Sequence, residues 1–426
     1  MEFISNLFSL GQTPVVLLSA FLVCFIGYAI GAIKVKGLSL GTAGVFLFAL
    51  LFGYLCTLPG LKEIPVLGKF YMADAADAKI SSFKFLSNIG LILFVTSVGS
   101  IAGPKFFRDL KANAKTYVPM GALIIVAGAL VTVIFAMLPG IGPAYATGIL
   151  SGALTSTPAF SAAKDTVTEL ANDRVGLVIL GQAVAYPFGV IGVVLFVQVM
   201  PRLVKADIAY ERTLIGTAAP VATEQKQEKK RLALDDFGFA AFGLAIVLGL
   251  LLGSLKIPLS AKGFSGPCFS LGMTGGPLIM SLILAHFGHI GPVSMKVSLP
   301  ALKSFREFGL MLFLLGAGIE GGVVLVEQIA ASEHGIMLVV YGFIAGAVIT
   351  VIPMIAGYLF ARKICKLPLL NSLGSITGGM TSTPALGTLI GVAGTDDVAG
   401  AYASTYPIAL VLVVLAAQLI NSLMLI

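Results

Sequence analysis

Two stretches of small and hydroxyl-bearing residues share one pentapeptide. The first is Gly148-Ile-Leu-Ser-Gly-Ala-Leu-Thr-Ser-Thr-Pro-Ala-Phe160, and the second is Gly374-Ser-Ile-Thr-Gly-Gly-Met-Thr-Ser-Thr-Pro-Ala-Leu386. Thr-Ser-Thr-Pro-Ala therefore occurs at 155–159 and again at 381–385, 226 residues later (381 − 155). Each copy lies inside an otherwise apolar segment, one in each half of the chain. An identical string at matching places predicts two equivalent elements.

The composition is typical of a protein that crosses a membrane many times. Of the 426 residues, 58% are hydrophobic and 11% are charged, whereas a soluble domain carries about 25% charged residues. The 50 glycines suit the close helix packing found in bilayers. The net charge of +7 is no sign of a nucleic-acid partner, because Lys and Arg mark the cytoplasmic loops of membrane proteins. The cysteines form no CxxC pair, and we expect them to be small apolar packing residues.

Ten apolar windows are long enough to cross a bilayer, which takes about 20 residues each. They divide the chain into a first membrane repeat over 1–200, a polar linker over 201–235 and a second membrane repeat over 236–426. The pentapeptide segments come in addition, as predicted hairpins over about 144–164 and 369–390. The predicted spans are 14–33, 39–58, 85–103, 116–138, 175–200, 236–255, 266–288, 307–328, 335–360 and 398–425.

The halves resemble each other beyond the pentapeptide, and the matches keep their order, which indicates a duplication. The linker lacks the apolar residues to build a domain, and we interpret it as a tether between the halves. The matching pairs are Gly90–Gly99 with Gly309–Gly318, Tyr186-Pro187 with Tyr406-Pro407, and Gln198 with Gln418.

The distribution of basic residues favours an inverted topology. If each pentapeptide segment enters and leaves the membrane on one side, each half crosses five times and the second half is inverted. With both termini outside, most of the 27 Lys and Arg residues, including those of the linker, then lie inside. A full crossing by each segment would put the linker outside, against the positive-inside rule. We therefore predict an all-α polytopic membrane protein with two inverted repeats, each of five transmembrane helices plus one re-entrant hairpin.

Proline and glycine predict a helix break at each pentapeptide. Pro158 and Pro384 remove a backbone donor, and a break at membrane depth is tolerated only when it is buried in protein or lines a cavity. A half-helix that begins there presents N–H groups and a partial positive charge to a carboxylate. Freed carbonyls would suit Na⁺ instead. The predicted substrate-binding residues are Ser151, Gly152, Thr155, Ser156, Thr157, Pro158, Thr377, Gly378, Thr381, Ser382, Thr383, Pro384, Tyr186, Tyr406 and Gln182.

The paired Gly-x-x-Ser/Thr-Gly-x-x-Thr-x-Thr-Pro-Ala pattern, at Gly148–Ala159 and Gly374–Ala385, resembles the aspartate–alanine exchanger family of bacterial secondary transporters. The resemblance covers both membrane halves and implies transport of small amino acids or dicarboxylates, often as exchange or export. The chain departs from many family members in lacking soluble regulatory domains between the halves. The predicted layout also resembles the sodium–glutamate and divalent-anion symporters.

Other polar residues have simpler interpretations. Lys164, Asp165, Arg174, Asp396 and Asp397 flank the predicted hairpins and are expected to be solvated loop residues. Acidic residues in membrane segments are often functional, but Glu307 and Glu320 lie near interfaces. His286 and His289 have a spacing that can bind zinc, without a third ligand nearby.

Together these features predict a carboxylate exchanger or exporter that works by alternating access. The expected location is the bacterial cytoplasmic (inner) membrane, with a cytoplasmic linker and a homodimeric assembly. The expected partners are a small anionic substrate and the lipid bilayer, with no nucleic acid, no metal and no cofactor other than a possible Na⁺. A Na⁺-coupled symporter and a channel-like pore remain alternatives. An intramembrane enzyme is disfavoured because no His lies near a Ser or Cys nucleophile.

Overall fold

The computed structural model describes residues 11–35, 38–39, 41–64, 67–74, 76–215, 231–258, 263, 268–331 and 335–425. Helices make up most of this part of the chain. They are α1 Gln12–Ala32, α2 Ala43–Cys56, α3 Pro59–Lys62, α4 Ala78–Ala136, α5 Gly142–Ala153, α6 Thr157–Leu170, α7 Val175–Leu203, α8 Ile208–Ile215, α9 Phe239–Ser254, α10 Gly272–Phe287, α11 Leu299–Ala331, α12 Gly335–Leu359, α13 Leu369–Gly379, α14 Thr383–Ala393 and α15 Val398–Met424.

Short 3₁₀ turns and a single π turn add to these helices, at Leu67–Phe70, Asn172–Arg174 and Phe360–Ile364. Among the described residues, three antiparallel pairs of two-residue strands lie in the connections. They are β1 Lys34–Val35 with β2 Leu38–Ser39, β3 Ile257–Pro258 with β4 Cys268–Phe269, and β5 His289–Ile290 with β6 Val293–Ser294. Within the described residues, seven helical segments are long and apolar enough to cross a membrane. The chain is therefore an all-α polytopic membrane protein, as its composition predicts.

The predicted spans map onto helices with two differences. The windows 85–103 and 116–138 lie within one continuous helix, α4, because 105–115 is helical rather than the expected loop. That stretch contains no glycine, and the prolines on either side of it, Pro104 and Pro119, bend a helix without having to end it. The windows at 39–58, 236–255 and 266–288 form helices of 14, 16 and 16 residues, shorter than the roughly 20 residues of a perpendicular span.

The chain divides into two compact units, and the first contains residues 1–91 and 308–341. Its described core joins α1, α2, the start of α4 and the end of α11. The helices of this unit approach each other closely where glycine on one helix contacts the backbone of another. A Cβ on Gly90 would collide with the backbone of Gly309 and Phe313. Two of the predicted apolar cysteines, Cys24 and Cys56, belong to this core.

The second unit contains residues 92–307 and 342–426, including both pentapeptides. Each pentapeptide segment packs on the last helix of its own repeat, α5 on α7 and α13 on α15. Each also packs on the last helix of the other repeat, because α15 contacts α5 and α6, and α14 contacts α7. The two repeats are therefore interlocked within this unit.

The predicted tether contains a helix. Helix α7 ends at Leu203 in a left-handed turn at Lys205 (φ 49°), and Asp207 accepts the N–H groups of Ala209 and Tyr210 to begin α8. Helix α8 packs on α13. Residues 216–230, which include most of the basic run 225–231, lie outside the described part of the chain.

The end of the linker is also ordered. Leu232 bridges to Val293, through hydrogen bonds to the backbone at Pro292 and Ser294. The Asp235 carboxylate accepts the N–H groups at the start of α9, with distances of 2.8 Å to both Phe239 and Ala240. The backbone N–H groups of Ala240 and Phe239 lower the pKa of Asp235.

Candidate functional site: two broken segments that meet at their tips

The chain breaks at both pentapeptides in the same way. We call α5, its break and α6 (142–170) the first broken segment, and α13, its break and α14 (369–393) the second. The breaks fall at 154–156 and 380–382. Pro158 and Pro384 are the second residues of α6 and α14, where a missing N–H costs nothing and the fixed φ favours a helix start. Proline thus begins the second helix rather than marking the break itself.

Hydrogen bonds close each break with the same pattern. The Ser156 N–H donates to the Ser151 carbonyl at 2.8 Å, and the equivalent Ser382 N–H donates to the Thr377 carbonyl at 2.9 Å. These bonds require a left-handed residue between them, which is usually glycine. Here it is Thr155 (φ 51°) and Thr381 (φ 49°). A β-branched residue at positive φ is strained, and such strain is concentrated at functional sites.

The two strained threonines bond across the repeats. The Thr155 hydroxyl donates to the Thr381 carbonyl at 3.3 Å, and the Thr381 hydroxyl donates to the Leu154 carbonyl at 2.6 Å. The tips of the broken segments therefore touch, although 226 residues separate them in sequence. Both hydroxyls serve this junction, which explains why threonine occupies a position that favours glycine.

Two of the predicted site hydroxyls are used within their own helices. Ser151 donates to the Gly148 carbonyl at 2.7 Å, and Thr377 donates to the Gly374 carbonyl at 2.8 Å. Both side chains are completely buried. These residues stabilise the last turn before each break, so their hydroxyls are not directed at the tip.

The helices that begin after the breaks differ in one respect. Ser156 caps α6 by accepting the Ala159 N–H at 3.3 Å. Ser382 makes no such bond with α14, and its hydroxyl is completely buried with no hydrogen-bond partner. Thr157 is exposed, whereas Thr383 is 4% exposed. The second tip therefore has a buried hydroxyl and an uncapped helix start, a combination that is costly unless something binds there.

Glycine allows the backbone of each broken segment to touch the following long helix. A Cβ on Gly152 would lie 2.7 Å from the Gln182 carbonyl and 2.8 Å from the Tyr186 nitrogen. The equivalent Gly378 would place a Cβ 2.5 Å from the Tyr402 carbonyl. The contacted residues are themselves equivalent, 220 positions apart (402 − 182). Both repeats thus use the same backbone contact.

The predicted aromatic residues lie on the helices that hold these contacts. Tyr406 is buried and stacks on Tyr402 with ring centroids 5.3 Å apart, while Tyr186 and Gln182 are half-buried. Sequence reasoning missed Tyr402, although the repeat frame pairs it with Gln182. It also missed the pair formed by Ser375 and Thr405, whose hydroxyls are 2.6 Å apart and join α13 to α15.

One flanking charge, Asp396, forms ion pairs instead of being solvated as expected. Asp396 lies between α14 and α15, contacts Arg306 and lies 3.2 Å from Lys303. Arg306 is 6% exposed and also binds Glu307 at 2.8 Å. Because the Asp396 carboxylate lies beside the buried guanidinium of Arg306, an ion pair rather than water stabilises its charge.

The remaining candidates lie elsewhere. In the first unit, Glu320 pairs with Lys84 at 3.0 Å. Lys164 is exposed, Arg174 lies 4.0 Å from Asp173, and the side chain of Asp165 is outside the description. Within the described residues, His286 and His289 join no group of three possible metal ligands.

The fold and this arrangement define a class, that of multi-pass membrane proteins whose broken helices meet inside a bundle. The family model described as "Predicted Permease Membrane Region" (Asp-Al_Ex) matches residues 19–202 and 241–422. The chain belongs to this aspartate–alanine exchanger family. The matched blocks leave out residues 203–240, which contain nearly all of the linker.

Relatives that align over nearly the whole of this chain are named as transporters. An uncharacterised transporter of Bacteroides fragilis is 27% identical, over 94% of this chain and 97% of the relative. One from Rhodopirellula baltica is 27% identical, over 93% and 97%. One from Geobacter sulfurreducens is 25% identical, over 95% and 97%. The chain is a membrane transporter.

Proposed function

We propose that the protein is a secondary active transporter that exchanges small carboxylates, such as acidic amino acids or dicarboxylates, by alternating access. The observation that carries this proposal is the buried, unpartnered Ser382 hydroxyl beside the uncapped start of α14. A helix N-terminus attracts a carboxylate without an arginine. Ser382, Thr383 and the Tyr402 side chain would complete its hydrogen bonds.

An inverted arrangement of two hairpins fits the contacts of the second broken segment. Leu369 at its beginning and Ala393 at its end both contact α8 of the linker. A segment whose two ends meet one short helix enters and leaves on the same side. Helix α13 has 11 residues, so it is about 16 Å long, roughly half of a bilayer core.

The first broken segment would then enter from the opposite face, because its tip meets the tip of the second. This fits five crossings plus one hairpin per repeat if the two apolar parts of α4, Ala78–Pro104 and Lys115–Ala136, cross separately. Both termini would lie outside and the linker in the cytoplasm of a bacterium. Both broken segments lie in the same one of the two units. This arrangement suits an elevator-type transporter, in which the unit that carries the hairpins moves as one body. The other unit would provide the scaffold and the homodimer contact.

Exchange is the preferred mode because the tips contain no titratable acid or imidazole. Helices α5, α13 and α14 carry no Asp, Glu or His. The acidic residues of α6 are Asp165 and Glu169, in its second half and away from the tip, so neither is placed as a proton carrier beside the bound substrate. For Na⁺-coupled symport, the carbonyls of Leu154 and Thr381 would have to bind the ion with the lone pair that their hydroxyl partners leave free. No cofactor is required in either mode.

Counterflow in proteoliposomes tests the function. Vesicles loaded with unlabelled L-aspartate or succinate should accumulate the labelled compound transiently, without Na⁺ and without a membrane potential. Empty vesicles made with the same protein are the control. A strict Na⁺ requirement would establish symport, voltage-driven current at channel rates would establish a pore, and absence of counterflow with every carboxylate would overturn the proposal.

The hydroxyls at the starts of α6 and α14 should contribute unequally to this transport. We expect Thr383→Ala to lower uptake by about tenfold and Thr157→Ala by about twofold, because a hydrogen bond in a buried site is stronger than one in a wet site. Thr388→Ala is the matched control, since its hydroxyl bonds only to the Pro384 carbonyl of its own helix. Normal uptake by both tip variants at normal expression would remove the hydroxyls from the site.

A further inference from the structure

The linker helix α8 holds both ends of the second broken segment. The Glu211 carboxylate accepts the N–H of Leu369, the first residue of α13, at 2.6 Å. The neighbouring Arg212 guanidinium donates to the carbonyl of Ala393, the last residue of α14. Consecutive residues of one helix thus bind the beginning and the end of a segment 25 residues long (369–393).

The signs of the two charges match the helix ends that they contact. A carboxylate lies at the positive N-terminus of α13, and a guanidinium lies at the negative C-terminus of α14. Glu211 is 8% exposed, and its bond is charge-assisted, so loss of the bond would leave a buried carboxylate without this partner. Neither contact belongs to the hydrophobic packing of the bundle.

Helix α8 follows α7 after a short, hydrogen-bonded connection. The Ala206 N–H donates to the Pro201 carbonyl at 2.8 Å, which closes the end of α7, and α8 begins two residues later. Helix α7 lies against Gly148 and Gly152 of the first broken segment. The short connection therefore links the helix that carries the first broken segment to the ends of the second.

We propose that Glu211 and Arg212 are positioning residues that clamp the second broken segment, and that opening this clamp lets its tip separate from the first tip and expose the site toward the linker side. This assigns the linker a gating role that a tether would not have. The gating role rests on the proposed transport function, whereas the clamp itself can be tested without any substrate.

Cysteine labelling measures the clamp directly. Leu389 of α14 and Ala163 of α6 are equivalent positions (389 − 163 = 226), and both are completely buried. Each would be replaced by cysteine in the full chain after its four native cysteines are changed to alanine. The rate of modification by N-ethylmaleimide then reports how often each segment opens.

We expect Glu211→Ala and Arg212→Ala each to raise the labelling rate of Leu389→Cys by about tenfold, the effect of one charge-assisted hydrogen bond, and to leave Ala163→Cys unchanged. Glu211→Gln keeps an acceptor oxygen and should restore slow labelling. Tyr210→Ala, on the exposed side of α8, is the control for helix disruption. An unchanged rate at Leu389→Cys, or an equal rise at both positions, would overturn the clamp.

Transport measurements distinguish a gating role of Glu211 and Arg212 from a purely structural one. In counterflow with L-aspartate or succinate, the clamp variants should change the maximal rate severalfold and leave KM near the wild-type value, because the site itself is intact. Altered labelling together with an unchanged maximal rate would refute gating while leaving the clamp. Altered labelling in a protein that shows no counterflow would refute the transport proposal and not the clamp.

Discussion

Replacing Ser382 with alanine should weaken substrate binding by about tenfold and leave the ligand-free protein as stable as wild type, or more stable. The hydroxyl is buried without a partner, so its removal takes away an unsatisfied polar group that costs about 1–3 kcal/mol. If a bound carboxylate is the missing partner, the same change removes one of its hydrogen bonds.

The repeat supplies the matched control, Ser156→Ala. Ser156 caps α6, and loss of an N-cap costs about 1 kcal/mol of stability, so this variant should unfold at a lower temperature and bind substrate with a smaller loss. Thermal unfolding of the purified proteins with and without L-aspartate or succinate measures both effects, because binding raises apparent stability. A Ser382→Ala protein that is destabilised and binds normally would place the substrate elsewhere.

Gly378→Ala should be a severely damaging single-methyl change near the site. Its Cβ would lie 2.5 Å from the Tyr402 carbonyl, and backbone cannot move aside as a flexible side chain can. Overpacking of this kind costs about 1–3 kcal/mol, and relief would require α13 to separate from α15. We expect a lower unfolding temperature and loss of transport.

Gly391→Ala in α14 is the control, because nothing lies within 4 Å of its added Cβ. An alanine there should be neutral or stabilising by about 0.5–1 kcal/mol, since it lowers the entropy of the unfolded chain. Unfolding temperature and uptake per molecule should be measured together. Equal stability of the two alanine variants would show that the contact between α13 and α15 is looser than the structure describes.

Local chemistry explains what could be predicted from the sequence. Small residues and proline at 148–160 and 374–386 have few stable alternatives to a broken, closely packed helix. Composition and the apolar windows of about 20 residues predicted the all-α membrane class, and the repeated Tyr-Pro and Gly patterns indicated a duplication. The family assignment followed from the same motifs.

Tertiary contacts decide what could not be predicted. The identical strings Thr-Ser-Thr-Pro-Ala give no reason for Ser156 to cap and Ser382 to remain unpaired; the surrounding helices create that difference. No propensity rule would place Thr155 and Thr381 at positive φ, because the conformation persists only through the junction of the two tips. Helix α8 is too short to be stable alone and depends on its contacts at Leu369 and Ala393.

The interlocked repeats bear on how such a chain could have arisen. Each broken segment rests on the last helix of the other repeat, so a polypeptide with a single repeat would carry an unfinished junction and an uncovered helix. Two copies would have had to associate before either one could complete the structure. Fusion of the two coding sequences would turn an encounter between two molecules into a step within one chain. Each copy would then be free to diverge, and the environments of Ser156 and Ser382 do differ.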